Sequence, residues 1–207
     1  MQKDFKNYKF YWRIFFLSIL FFLGCVAKPK FIVNDYTPPM TVAILPFNNF
    51  TNDLDGPVYV RKIFSERLKY RGYIVKSIDE TDNVLRGIGI TDGGQLSAFK
   101  PEKIGEALNV DGLFYGDLLE FSYITVGFYN KRAVSVSLKL LDAKNGNLLW
   151  HDEKKVAKTE VALSSQEALK AFKHHIIEKT VEKTFRVPLR EEVEELVNKI
   201  LLTLPRR

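Results

Sequence analysis

The sequence predicts an α/β protein: a two-layer sandwich with a mixed sheet of about five strands, in β-α-β-α-β-β-β order, covered by helices and followed by C-terminal helices. Three observations carry this. Thr41-Val-Ala-Ile-Leu-Pro-Phe47 is a continuous apolar run closed by proline, the pattern of a strand buried on both faces. A helix and a second strand follow within about 40 residues, which implies a right-handed crossover and a parallel pair. Ala133 to Leu141 alternates cleanly, with Val134, Val136, Leu138 and Leu140 on one face and Ser135, Ser137 and Lys139 on the other.

The elements follow in order. Gly56-Pro57 opens a helix, because proline lacks an N–H that the first turn would leave unpaired anyway. Val60, Ile63, Phe64 and Leu68 recur on one face, and Gly72 stops the helix. Tyr73 to Ile78 reads as the second strand. From Asp79 to Leu96, four glycines accompany a short helix and a turn, and Pro101 to Leu108 is a clearer short helix. Three strands come next. A Lys144-Asn145-Gly146 loop sets Leu140 opposite Trp150, which keeps the apolar face continuous and puts Gly146 in the left-handed region. The preceding hairpin needs an even loop, with Val136 opposite Tyr123, Leu138 opposite Phe121 and Tyr129-Asn130 at its tip. Ser164-Ser-Gln-Glu167 is a capping box for a helix reaching about Phe185. A last helix from near Pro188 carries Leu189, Val193, Leu196, Val197, Ile200 and Leu204 as an apolar stripe, which packs on the sheet or meets a partner.

The N-terminus has an export layout. Lys3, Lys6, Lys9 and Arg13 precede an apolar run from Ile14 to Leu23, followed by Gly24-Cys25. Counted to Ala27 and taken as a helix, that segment spans about 21 Å, short of a bilayer core of about 30 Å, so cleavage is the better reading. The chain has a single cysteine, which cannot form an internal disulfide. Phe22-Leu-Gly-Cys25 resembles the lipobox of bacterial lipoproteins, with Phe22 where leucine is usual and Leu23 where a small residue is commoner. The resemblance implies diacylglycerol on the Cys25 thiol, cleavage before it and acylation of the new amino group. The expected organisation is a signal peptide over 1–24, a tether over 25–40 and one periplasmic domain over 41–207, with C-terminal helices from about 164.

Composition narrows the function. The chain has 207 residues and a formal net charge of +6, and half of that excess lies in the leader. A nucleic-acid binder would concentrate its charge on a folded face, so no nucleic-acid partner is expected. His151, His174 and His175 lack the i, i+4 spacing of paired ligands, and Thr51 to Gly56 resembles a calcium loop only in part, with Lys62 where a bidentate glutamate is needed. No nucleophile motif or phosphate-cradling loop is present, so the expectation is no enzyme, no catalytic residue, no metal and no cofactor.

An ordered set of segments carries a wider resemblance: Ile44 to Asn49, Gly72 to Val75, Asp79-Glu80, Gly89 to Thr91, Lys100 to Gly105, Asp111 to Tyr115, Leu141 to Ala143, then Gly146 and Leu149-Trp150. Over Thr41 to Trp150 the chain resembles a family of bacterial lipoproteins of unknown function that includes candidate surface antigens. That family is similar to the N-terminal domain of TolB and, more distantly, to the globular part of the curli-secretion lipoprotein CsgG. The resemblance implies a non-enzymatic, lipid-anchored envelope protein acting in assembly or transport through protein contacts. It would sit at the outer membrane, facing the periplasm or the cell surface. The alternative is a small-ligand-binding lipoprotein serving a transporter. Partners are then the membrane, through the N-terminal lipid, and envelope proteins or a second copy. The candidate contact residues are Tyr123, Phe128 and Tyr129 at the hairpin end, because aromatic side chains lose few rotors on burial.

Overall fold

A computed structural model describes residues 27–126, 129–161 and 189–207. The expected leader, Cys25, Phe128, the helix from Ser164 and His174-His175 lie outside the described residues. The strands are β1 (Phe31–Ile32), β2 (Thr41–Ile44), β3 (Asn48–Asn49), β4 (Ile74–Val75), β5 (Gly112–Val126), β6 (Tyr129–Asp142) and β7 (Leu148–Val161). The helices are α1 (Gly56–Leu68), α2 (Ile78–Gly87), α3 (Pro101–Leu108) and α4 (Arg190–Thr203), with a 3-10 turn over Gly93–Ala98. The sheet is mixed and has seven strands, in the order β1-β7-β6-β5-β2-β4 with β3 also on β5. The expected α/β architecture is present. The two extra strands, β1 and β3, are two residues each, too short for periodicity to reveal.

β2 is apolar from Val42 onward because both of its faces are covered there. Val42 and Ile44 join a cluster with Val60, Phe64 and Leu68 of α1 and Val193, Leu196, Val197 and Ile200 of α4. Ala43 and Leu45 join a second cluster with Leu85, Ile104 and Leu108 from α2 and α3. Phe114 of β5 lies edge-on to Phe64 at 5.2 Å and to Trp150 at 6.4 Å between ring centroids. The α4 stripe thus packs on α1 and the sheet, which removes it as an exposed surface. Asp111 fastens β2 to the start of β5: its carboxylate accepts from the Thr41 N–H at 3.1 Å and hydroxyl at 2.8 Å, and these bonds hold its pKa below the usual range.

The strand expected over Tyr73 to Ile78 shortens to Ile74–Val75, parallel to β2. Ser77 caps α2 instead, its Oγ accepting from Glu80 N–H at 3.2 Å, and Ile78 becomes the first helical residue. In the last hairpin Leu140 does face Trp150 and Gly146 does take φ +70°. The loop there has four residues, not three: Asp142 N–H donates to Asn147 O, the Asp142 carboxylate holds the Lys144 and Asn145 N–H groups, and the ladder shifts by one residue at Leu149. The earlier hairpin has an even loop, but its tip is two residues upstream of Tyr129-Asn130. Val126 pairs with Tyr129, and Val136 faces Leu118 rather than Tyr123. A bulge at Leu119 allows this, switching the parity of β5 so that Leu118 and Phe121 both meet the core.

Candidate functional site

Two surfaces stand out. The first is a cleft of about 590 Å³ beyond the carboxyl end of β2, the position where the loops of a parallel unit open. Phe47, Leu54 and Val58 are among its apolar lining residues, and Asp82, Arg86 and Asp92 among its polar ones. Its floor is organised by Arg61, a residue of α1 only 5% exposed. The guanidinium donates from Nε and Nη2 to Ile44 O at 3.0 and 2.7 Å, and from Nη1 and Nη2 to the Asp82 carboxylate at 2.9 and 2.7 Å. One cation therefore ends β2, orients α2 and neutralises one of the three aspartates in the cleft. At the mouth, Leu54 and Val58 are 86% and 67% exposed, and Phe50 of the same loop is 64% exposed.

The second surface is the hairpin end. The structure does not bring Tyr123 and Tyr129 onto one face. Tyr123 pairs across the strand with Arg132 on the side that carries the main core, and its ring lies 5.5 Å from the Arg132 guanidinium carbon. Tyr129 is on the opposite face, in register with Val126 on β5 and Val161 on β7. Those three, with Ile124 on the same face, are exposed and form an apolar end to an otherwise polar ladder. Further along that face, Lys155 donates to Glu120 at 2.5 Å; that bond first, then those from Ser122 and Lys131, hold the Glu120 pKa down to about 2. Ser137 Oγ and His151 Nε2 are 3.1 Å apart, and burial, then Lys139 and Lys30, push the imidazole pKa down. Among the described residues no group of three His, Cys, Asp or Glu could hold a metal ion.

Sequence reasoning missed Arg61, because an arginine on a helix reads as solvated, and it missed Val126 and Val161, which look like ordinary strand residues until register places them beside Tyr129. Glu192, in the first turn of α4, also escaped it, because a glutamate there suits the helix dipole in water as well as in the interior. It is fully buried between Arg132 and Lys158, at 3.6 and 3.5 Å.

The family described as "Putative lipoprotein GNA1162-like" matches residues 34–197, most of the chain. The chain belongs to this lipoprotein family. A curated relative, "Putative lipoprotein NMB1124/NMB1162" of Neisseria meningitidis serogroup B, is 25% identical over 121 residues, 56% of this chain and 56% of the relative. The match thus spans about half the length of that protein. The crystal structure of lipoprotein GNA1162 from Neisseria meningitidis aligns with a TM-score of 0.56 at 19% identity, over 72% of this chain and all of the other. A PelC dodecamer from Paraburkholderia phytofirmans aligns at 0.49 and 16% identity, over 81% and 89%. At 19% identity the likeness to the GNA1162 structure is one of fold. This GNA1162-like chain has the mixed α/β body described above, and no helix among the described residues is long and apolar enough to cross a membrane.

Proposed function

We propose that this GNA1162-like chain is a lipid-tethered envelope protein, anchored at the outer membrane through Cys25, that acts in envelope assembly or transport by contacting other proteins and not by catalysis. Membership in a lipoprotein family supports the anchor, as do the leader, the short apolar run and the lone cysteine. The observation that carries the contact reading is the trio Phe50, Leu54 and Val58, exposed near the cleft while most other large apolar side chains among the described residues pack into two clusters. The hairpin end is a second contact surface, carried by Tyr129 with Ile124, Val126 and Val161 on the same face; Tyr123 faces the core side instead. The cleft favours one alternative: its 590 Å³ exceeds the roughly 300 Å³ a small ligand needs, so a ligand-binding role beside a transporter is the second reading.

Cys25→Ala is expected to leave the leader uncut and the acyl chains unattached, which the mass of the mature N-terminus reads directly. Cleavage at the same bond with unchanged carbonate-resistant membrane partition would end the lipoprotein reading. Leu54→Ser combined with Val58→Ser is expected to keep the melting midpoint, since neither side chain is buried, and to lose envelope complexes trapped by crosslinking in cells. Undiminished complexes would reject the cleft mouth as the protein surface. A small molecule retained by wild type in native mass spectrometry and lost from the variant would favour the second reading.

A further inference from the structure

We infer that the end of the β5–β6–β7 hairpin array docks on the lipid surface that holds the Cys25 anchor, with Ile124, Val126, Tyr129 and Val161 in contact with the bilayer. The inference rests on the lipid-anchor reading above and names what the second contact surface meets.

The direction of the chain carries it. β1 is antiparallel to β7, with Phe31 opposite His151 and Ile32 opposite Trp150. Residues before Phe31 therefore head along β7 toward Val161, and Lys30 Nζ already lies 2.6 Å from Glu153 Oε2. From His151 to Val161 the strand rises about 33 Å at ~3.3 Å per residue. From Phe31 back to Cys25 the chain spans about 20 Å when fully extended. The tether is shorter than the hairpin end is tall. With Cys25 held in a bilayer, the hairpin end reaches lipid before the tether is taut.

The chemistry at that end fits an interface. Ile124, Val126, Tyr129 and Val161 share one face and are 44%, 67%, 38% and 56% exposed. Aliphatic groups with a tyrosine whose hydroxyl stays wet suit the boundary between acyl chains and headgroups. Among the described residues, neighbouring cations are already paired: Lys131 with Glu120 at 3.2 Å, and Lys158 with Glu191 at 3.4 Å and Glu192 at 3.5 Å. Attraction to anionic headgroups is thereby blunted, and the docking is expected to resist salt.

The test uses the full-length, acylated protein reconstituted into vesicles of phosphatidylethanolamine and phosphatidylglycerol. Acylation blocks Cys25, so Thr159→Cys, exposed on the apolar face, and Lys144→Cys, at the opposite end of β6 and β7, each present one free thiol for a fluorophore. Quenching by lipid-borne nitroxide is expected at 159 and not at 144, unchanged by salt. Adding Val126→Ser and Tyr129→Ser should abolish the quenching at 159 while the protein still floats with the vesicles through its acyl chains. Floating protein with no quenching at 159, equal quenching at both positions, or quenching that survives the double serine change would overturn the inference. Crosslinking at 159 between copies, without quenching, would overturn it in favour of a protein surface. Protein that fails to float fails the anchor reading first, which the mass of the N-terminus separates from a failure of docking.

Discussion

Gly93→Ala is expected to cost about 2–3 kcal/mol, the upper range for overpacking, and to lower the melting midpoint by roughly 6–10 °C in a chain of this size. A Cβ at position 93 would sit 2.4 Å from the carbonyl carbon and oxygen of Phe47 and 2.5 Å from the Asn48 nitrogen. These are backbone atoms, so no side-chain rotation relieves the clash. The 3-10 turn that begins at Gly93 would have to lift off the loop between β2 and β3, and Phe47 and Asp92, which line the cleft, would separate. Gly87→Ala is the control, because nothing lies within 4 Å of its added methyl group. Thermal unfolding followed by circular dichroism checks both. Equal midpoints for the two variants would show that the turn does not press on the loop.

Arg61→Met should destabilise by about 3 kcal/mol, the low end for breaking a buried ion pair, since the Asp82 side chain is 36% exposed and regains some water. Methionine keeps the stem volume, so the loss reads the guanidinium. Ile44 O loses both of its donors from Arg61 and Asp82 loses its cation. Asp82→Asn should cost clearly less, because Arg61 still holds Ile44 O. Denaturant titration of the three proteins compares them. An Arg61→Met midpoint matching Asp82→Asn would mean that the bonds to Ile44 O contribute nothing and that the cation serves only the carboxylate.

How legible was this molecule in its sequence? β2, α1 and α3 were readable because apolar spacing and an opening proline agreed, and Leu140 opposite Trp150 followed from the parity of the apolar face. Parity could not locate the other hairpin tip, since sliding by two residues leaves every side chain on its face. The bulge at Leu119, which decides between the two registers, has no residue signature. The cleft was invisible for another reason. Phe47, Leu54 and Asp92 meet only after β2, α1 and α2 have packed, and no local pattern records a meeting of three loops. Tyr123 and Tyr129, grouped by nearness along the chain, were parted by the alternation of strands.

The placement of α4 has a consequence for the order in which the chain acquires structure. Val193, Leu196, Val197 and Ile200 complete the same cluster as Val42 and Ile44, some 150 residues earlier, and Thr203 ties β7 down by donating its hydroxyl to Asp152 at 2.6 Å and accepting the Trp150 indole at its carbonyl. Until α4 is available, that side of β2 is covered by α1 alone, and Trp150 lacks the Thr203 carbonyl that accepts its indole N–H. Contacts this distant along the chain close late and slowly. A chain made from its N-terminus thus keeps one side of its core open until α4 has been made and can dock on α1, β6 and β7.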